Sequence, residues 1–356
     1  MTSIPAARSV AAPAAAFSQI ALSRAAAPAL SQDGARIAFA STDDPLGKNA
    51  DGNSEILFCD GATLQQITDT TPDEPSRRVQ DGNFRPSITD DGRFIAFSSN
   101  RDLAASNADG NLEVFVFDRA AKTFTQITNS QGAAGASDAK ISGDGSHLAW
   151  VSDSGAVQNP HRDLVLYDRL TAASQTIAAG VNTVALTYGR AISDDGSRVV
   201  YSLQTATNTT QGFLFDLRSN STRQITQLAT RGTDVPLHPT ISGDGKRIAF
   251  ATRRNPLGTN SDGSVELFLF DSPTGQLSQL TDSPKEATAE VISSLTDDGS
   301  VAVFNFPRLL SGAVSNSDFA ANSEIYTIAI APRASSGTAT ILNGASLGTD
   351  PAAPKT

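Results

Sequence analysis

The sequence contains few of the residues that build disulfides and metal centres. Its 356 residues include one cysteine, Cys59, so an internal disulfide is excluded. Cys59 follows three apolar residues at 56–58, which favours a packed and unreactive thiol. The three histidines, His147, His161 and His238, are dispersed along the chain and give a thin basis for a catalytic metal or a Ser-His-Asp triad.

Long apolar runs and clusters of basic residues are also missing. No apolar run approaches the roughly 20 residues of a membrane-spanning helix, so membrane insertion is not expected. The start, MTSIPAARSVAAPAAAF, lacks the basic residues and the unbroken apolar stretch of a secretion signal. The formal net charge is −10 and no Lys/Arg cluster exceeds two residues, which argues against nucleic acid as a partner.

What the sequence does contain is an internal repeat. An Asp-Gly pair recurs roughly every 50 residues. Its aspartates are Asp33, Asp91, Asp144, Asp195, Asp244 and Asp298. A hydroxyl residue stands two positions before each aspartate, at Ser31, Thr89, Ser142, Ser193, Ser242 and Thr296. An aromatic residue stands six positions after it, at Phe39, Phe97, Trp150, Tyr201, Phe250 and Phe304. Aromatics are only 6% of the chain, so chance does not explain this column.

Each repeat predicts four strands. An Asp-Gly pair between apolar segments is typical of a tight hairpin, in which glycine takes a positive φ. Alternating segments such as RFIAF at 93–97 adjoin the hairpin, and runs such as EVFVFD at 113–118 supply a third strand. A fourth strand ends in QIT or a similar string, as at Gln66 and Gln126. This pattern predicts an all-β fold, a six-bladed β-propeller of four-stranded antiparallel blades.

The sixth repeat lacks a closing QIT string of its own. The N-terminal AFSQIA at 16–21 resembles TFTQIT at 123–128, so we expect this N-terminal strand to complete the last blade and close the ring. The competing candidate is TATIL at 338–342. The predicted organisation is an N-terminal extension at 1–15, the propeller at 16–342, and a C-terminal linker at 343–356 that could lead to a further domain of a longer multidomain chain. Blades are expected near 29–71, 85–130, 138–180, 189–228, 238–283 and 293–337.

The S-x-D-G hairpin, the IAF strand, the third strand ending in aspartate and the closing QIT together resemble the repeats of TolB-like β-propellers. The resemblance covers residues 16–337 and implies a six-bladed propeller located in the periplasm or outside the cell. It implies little about activity, because related propellers include protein-binding modules as well as parts of peptidases and polysaccharide lyases. No α/β segment that could hold a hydrolase nucleophile elbow is predicted.

The loops of the predicted propeller form two different rims. The S-x-D-G hairpins make one rim short and uniform, whereas long and variable loops make up the other, where binding is expected. The innermost strands start at this long-loop rim, around the channel mouth. Their first residues could bind a peptide end or a small anion, or could simply be solvated. The candidate binding residues are Arg85, Asp138, Lys140, Tyr188, Arg190 and His238.

Three long loops share the pattern N-x-D-G-x-x-E. Oxygen side chains at alternate positions suit Ca²⁺, although the spacing is not that of an EF-hand. The same residues are typical of a turn that leads into a strand, so calcium is a candidate cofactor beside a purely structural interpretation. The candidate ligands are Asn49, Asp51, Asn53, Glu55, Asn107, Asp109, Asn111, Glu113, Asn260, Asp262 and Glu266.

These features favour a non-catalytic binding or scaffold propeller, which holds a protein or a small ligand on the long-loop rim and at the channel mouth. Two alternatives stay open. One is a propeller hydrolase or lyase with its site at the mouth, where His238 is the histidine that a substrate could reach. The other is a calcium-stabilised spacer in a larger surface protein. His147 lies on the alternating strand SHLAW and is expected to pack.

Overall fold

The computed structural model describes residues 25–61, 63–156, 158, 160–181, 183–205, 209–229, 237–283, 290–306 and 324–331. Within these ranges the strands form six antiparallel sheets, each with its strands in chain order. A short 3-10 helix, Pro75–Arg77, lies in the connection between the first two sheets. No helix of the described residues is long and apolar enough to cross a membrane.

The first sheet contains β1 (Ala25–Leu30), β2 (Ile37–Ser41), β3 (Glu55–Cys59) and β4 (Leu64–Gln66). The second contains β5 (Asn83–Ile88), β6 (Phe94–Ser99), β7 (Glu113–Asp118) and β8 (Thr123–Gln126). The third contains β9 (Gly135–Ile141), β10 (His147–Asp153), β11 (Arg162–Asp168) and β12 (Ala173–Val181). The fourth contains β13 (Val184–Ala185), β14 (Arg198–Gln204), β15 (Thr210–Asp216) and β16 (Ser221–Gln224). The fifth contains β17 (Thr240–Ile241), β18 (Arg247–Thr252), β19 (Glu266–Asp271) and β20 (Gln276–Gln279). The sixth contains β21 (Ser293–Leu295), β22 (Val301–Phe306) and β23 (Glu324–Ala329).

The predicted six-bladed, all-β propeller is confirmed. Five blades have four strands, and the sixth has three among the described residues. Both segments proposed to complete that blade, 16–21 and 338–342, lie outside the described residues, so closure by the N-terminal strand stays a prediction. The predicted extension at 1–15 and the predicted linker at 343–356 lie outside them as well.

The Asp-Gly hairpins have the geometry that the repeat predicts. In the fourth blade the Ser193 hydroxyl donates to Asp195 Oδ1 at 2.7 Å, and the Ser197 amide donates to the same oxygen at 3.0 Å. All six glycines of these turns have φ between +67° and +73°, where a side chain is strained. The equivalent hydroxyl–aspartate hydrogen bond occurs in every repeat.

Backbone hydrogen bonds join consecutive hairpins around the channel axis. Examples are Asp90 N to Gly143 O, Asp144 N to Asp194 O and Asp194 N to Gly243 O, each at 2.9 Å. Equivalent bonds join the first hairpin to the second and the fifth to the sixth. The hairpins therefore lie together at one end of the channel.

The turn glycines also make room for the preceding blade. A Cβ added at Gly196 would lie 2.2 Å from Nδ1 of His147, which therefore packs across the seam between the third and fourth blades. The aromatic column is buried in all six blades, and Phe250, for example, stacks on Phe268 of the next strand with ring centroids 5.8 Å apart. Burial of one such ring stabilises the fold by about 2 kcal/mol, so the repeated aromatic explains much of the core.

Candidate functional site: the two ends of the channel

The backbone has an unusual conformation where the innermost strands begin. Arg85, Asp138 and His238 occupy the same repeat position, six residues before the Asp of the hairpin, and have φ of 49°, 58° and 41°. In the second and third blades the strand pairing shifts register around this position, which indicates a β-bulge. A non-glycine residue in this left-handed region costs about 1 kcal/mol or more, and such strain is concentrated at functional sites.

Side chains from five blades meet around this position. Arg85 forms an ion pair with Asp138, and its guanidinium carbon lies 4.9 Å from the ring centroid of Tyr188. The Tyr188 ring is 5.4 Å from the His238 ring, and His238 in turn hydrogen bonds to Glu290. We call these residues the mouth cluster: Arg85, Asp138, Tyr188, His238 and Glu290.

Lys140 supports the mouth cluster from behind. Its Nζ donates to the backbone oxygen of Tyr188 at 3.0 Å, and the residue is only 4% exposed. Burial lowers the pKa of Lys140 to about 8, with Asp138 opposing the shift. The lysine thus connects the third blade to the backbone that carries the tyrosine, and it is placed to fix the position of that ring.

Arg190 lies apart from the other predicted binding residues. Its Nη1 is 2.6 Å from a carboxylate oxygen of Asp194 and 2.6 Å from one of Asp297, and its Nη2 is 3.7 Å from Asp90. These aspartates precede the Asp-Gly pairs of the second, fourth and sixth blades, so the guanidinium lies at the hairpin end of the channel. We call Asp90, Arg190, Asp194 and Asp297 the axial cluster.

The axial carboxylates are crowded. Their ligand atoms lie within 4.8 Å of one another, with a single guanidinium among them. Burial raises the pKa of Asp194 to about 7, and the neighbouring carboxylates add to the shift while Arg190 opposes it. Burial also raises the pKa of Asp90. The cluster therefore holds more carboxylates than its arginine can neutralise.

Glycines in the intervening blades provide the space for these carboxylates. A Cβ added at Gly143 would lie 2.1 Å from Asp90 Oδ2, and one at Gly243 would lie 2.0 Å from Asp194 Oδ2. A cavity of about 430 Å³ adjoins the cluster. It is lined by Asp90, Asp91, Gly143, Asp144, Asp194 and Asp195.

Sequence reasoning missed the axial aspartates and Glu290. A signal for the aspartates was present, since an Asp-Asp-Gly string replaces the simple Asp-Gly pair in alternate blades, at 90–92, 194–196 and 297–299. Glu290 stands eight residues before its hairpin aspartate rather than six, so the column that revealed Arg85 and His238 did not include it.

The predicted calcium loops use their glutamates as hydrogen-bond acceptors. Glu266 accepts from Thr281 Oγ1 at 2.5 Å and from the amide and hydroxyl of Ser283 at 2.8 and 2.7 Å. Glu55 and Glu113 accept equivalent bonds from the residues that follow their own fourth strands. Each glutamate therefore fastens the start of a third strand to the end of a fourth.

The asparagines of these loops contribute hydrogen bonds as well. Asn49 Nδ2 donates to the Asn53 carbonyl at 3.0 Å, and Asn260 makes the same bond to Ser264 at 2.9 Å. Oδ1 of the buried Asn49 and of the buried Asn53 have no hydrogen-bond partner among the described residues. Calcium in these loops stays a prediction.

Comparisons with known proteins identify the fold. No protein-family model matches the chain, and no curated protein matches it. An oligogalacturonate lyase from Vibrio parahaemolyticus is similar in structure, with a TM-score of 0.55 and 15% identity over 85% of this chain and 73% of the lyase. The β-propeller domain of the Trilobed protease from Pyrococcus furiosus has a TM-score of 0.54 and 13% identity over 85% of this chain and 78% of that domain.

TolB from Acinetobacter baumannii is also similar to this chain. It has a TM-score of 0.46 and 18% identity over 77% of the chain, which spans 61% of the length of that TolB. The similarity to the β-propeller domain of the Trilobed protease agrees with the six-bladed propeller of this chain. These structures share no more than 18% identity with the chain, so they establish the architecture alone.

One hydrolase-like string falls outside the described residues. Gly-Ala-Ser-Leu-Gly at 344–348 has the Gly-x-Ser-x-Gly spacing of a nucleophile elbow, which requires a strand–turn–helix context. The string lies in the predicted C-terminal linker, where no such context is predicted from the sequence.

Proposed function

We propose that this chain is a binding propeller that holds a peptide segment or a small polar ligand at the mouth cluster. One observation carries the proposal. Each of five blades brings one side chain to one end of the channel, these five carry four kinds of functional group, and three of them stand on left-handed backbone. The strained backbone recurs at a repeat position whose residue type differs from blade to blade. Ligand binding explains this better than a structural role does, because a structural role would favour the same residue in every blade.

The chemistry of the cluster suits a ligand with both charges and a flat or apolar part. The side chains of Arg85 and Glu290 are 44% and 47% exposed, and each already pairs with a cluster residue that a ligand group could replace. Tyr188, which is 37% exposed, lies between them and offers an aromatic surface. A ligand carboxylate would pair with the arginine and a ligand amine with the glutamate, as the two ends of a peptide require.

We place this function in the periplasm or outside the cell. The support is the resemblance of the repeats to TolB-like propellers, together with the long, variable loops on the rim that surrounds the mouth. A protein partner that inserts a segment into the mouth would contact those loops as well, and so would gain area beyond the cluster itself.

A displayed peptide library tests the proposal. Peptides selected on the immobilised wild-type chain are synthesised, and their binding is measured by isothermal titration calorimetry. We expect Tyr188→Ala and Arg85→Gln to weaken binding at least fivefold, since truncation of an anchoring aromatic or arginine typically costs more than about 1 kcal/mol. The control is Arg218→Gln, which removes a 74% exposed arginine from the hairpin rim.

The control variant should bind the selected peptides as the wild type does. Peptides that bind all variants equally well would place the binding surface elsewhere and contradict the proposal. The same would follow if no peptide were enriched over a chain in which Arg85 and Tyr188 are both replaced.

A further inference from the structure

A second pocket lies on the hairpin rim, opposite the mouth cluster, at the seam between the first and second blades. It encloses about 570 Å³ and contains three arginines, which stand next to β2, β6 and β7. We call it the seam pocket. Its lining residues are Ala35, Arg36, Asp60, Asp91, Arg93, Arg119 and Ala120.

The three guanidinium groups differ in their pairing. Arg36 pairs with Asp33 at 3.2 Å, and Arg93 pairs with Asp118 at 2.8 Å. Arg119 has no carboxylate within salt-bridge distance among the described residues, and the one hydrogen bond of its side chain there is from Nη1 to Gly92 O at 2.9 Å. The remaining N–H donors of the half-buried Arg119 guanidinium therefore have no hydrogen-bond partner among the described residues.

The position of Arg119 is nevertheless fixed. Its guanidinium carbon lies 3.5 Å from the ring centroid of Phe58, in the first blade, so the group is stacked across the seam. Burial lowers the pKa of Arg119, which reflects the loss of water around the charge. A cation that is partly desolvated and held in one plane favours an anion at its free edge, because that anion replaces the lost hydration.

The repeat itself does not require three arginines. At the next seam Arg169 takes the place of Arg119, with Nη1 donating to Gly145 O at 2.5 Å and the guanidinium 4.1 Å from the Phe94 ring centroid. There the residues equivalent to Arg36 and Arg93 are Phe94 and Ser146. The second seam therefore joins two blades without an arginine at either of these positions, although the Arg93 guanidinium also lies 4.7 Å from the Phe94 ring centroid.

We propose that the seam pocket binds a small oxyanion, namely the carboxylate, phosphate or sulfate group of a ligand. Arg119 would hold the anion through its free N–H donors, as a planar guanidinium does with such groups, and Arg36 and Arg93 would flank it. Asp60 and Asp91 line the same pocket and limit the charge it accepts, so the site suits a single anionic group rather than a polyanion.

Titration calorimetry with three simple anions tests this site. Sodium phosphate, sulfate and acetate are titrated separately into the full chain at constant ionic strength. We expect saturable binding of at least one anion in the millimolar range, and at least tenfold weaker binding to Arg119→Gln. Arg169→Gln is the matched control, since it removes the equivalent stacked arginine from the next seam, which has no counterpart of Arg36, and it should bind as the wild type does.

Thermal unfolding of both variants separates a structural from a binding role. Similar melting temperatures with a loss of binding in Arg119→Gln alone would support the proposal. Should Arg119→Gln fail to fold, the double variant Arg36→Gln/Arg93→Gln carries the test, and we expect it to bind at least threefold more weakly. Absence of saturable binding for all three anions would overturn the proposal, as would equal binding by the wild type and the variant that folds.

Discussion

The two ends of the channel use ion pairs in opposite ways. At the hairpin end, Arg190 is 21% exposed and lies among carboxylates of alternate blades, beside backbone bonds that join the hairpins. At the mouth, Arg85 and Glu290 each pair once and remain about twice as exposed. The hairpin end is built from turns that every blade shares, whereas the mouth is built from residues that differ between blades. We therefore expect stability to depend on the first end, and the exposure of the second end supports the proposal that it binds a ligand.

Replacement of Arg190 should have the largest effect on stability. Arg190→Met leaves the axial carboxylates without their cation. We expect the free energy of unfolding to fall by about 2 kcal/mol, which is less than the cost of breaking a fully buried pair because Arg190 is partly exposed to water. Urea denaturation at pH 7.5 measures it. Arg218→Met, in an exposed pair with Asp195, should change stability by less than about 0.5 kcal/mol. Equal losses of stability in the two variants would show that the axial cluster stabilises the fold no more than an ordinary surface pair does.

The pH dependence of stability should report on the same cluster. The folded pKa of Asp194 is raised from 3.8 to about 7, so the folded chain binds more protons than the unfolded chain between these values, and stability falls as pH rises through them. Asp194→Asn removes this contribution. We expect the melting temperature of the wild type to drop by roughly 1–2 °C more than that of the variant between pH 5 and pH 7.5, the equivalent of about 1 kcal/mol for a chain of this length. Parallel curves for the two proteins would contradict the assignment.

The fold could be predicted because its determinants are local and repeated. The Ser–Asp hydrogen bond, the positive φ of glycine and the alternating strand all lie within a dozen residues, and each recurs in every blade. Six copies of a local pattern leave few architectures that bury the aromatic column. The seam contacts, such as Gly196 against His147, depend on residues in different repeats and were not visible as a column.

The candidate site could be predicted only in part, for the same reason. Arg85, Asp138 and His238 share a repeat position and were found, but what they contact depends on how five blades converge. Arg190 stands one residue closer to its hairpin aspartate than these three, and its long side chain pairs with aspartates at the opposite end of the channel. A sequence column gives the position of a residue in the repeat but not where the end of a long side chain lies, so it could not separate the two ends of the channel.

Relief of the backbone strain at the mouth should affect binding and stability differently. In His238→Gly the φ of 41° becomes unstrained, which offsets the lost contacts with Tyr188 and Glu290. We expect the free energy of unfolding to stay within about 1 kcal/mol of the wild type, while binding of the selected peptides is lost. Urea denaturation and calorimetry on the same preparations measure both. A large loss of stability would show that His238 stabilises the fold, as the axial cluster is expected to do, and would contradict a role in binding alone.

Chelation of divalent ions should have the smallest effect. The carboxylates of Glu55, Glu113 and Glu266 already accept hydrogen bonds from the threonines and serines that follow the fourth strands. Calcium would have to displace those donors, and the acceptors left without a partner in the first loop are neutral amide oxygens, which bind it more weakly than carboxylates do. Excess EGTA should therefore change the melting temperature by less than about 0.5 °C, whereas Glu266→Gln should lower it by roughly 1–2 °C through a loss of about 1 kcal/mol. A marked drop with EGTA, reversed by added Ca²⁺, would instead place a metal at the long-loop rim and make that rim a stabilising element as well as a binding one.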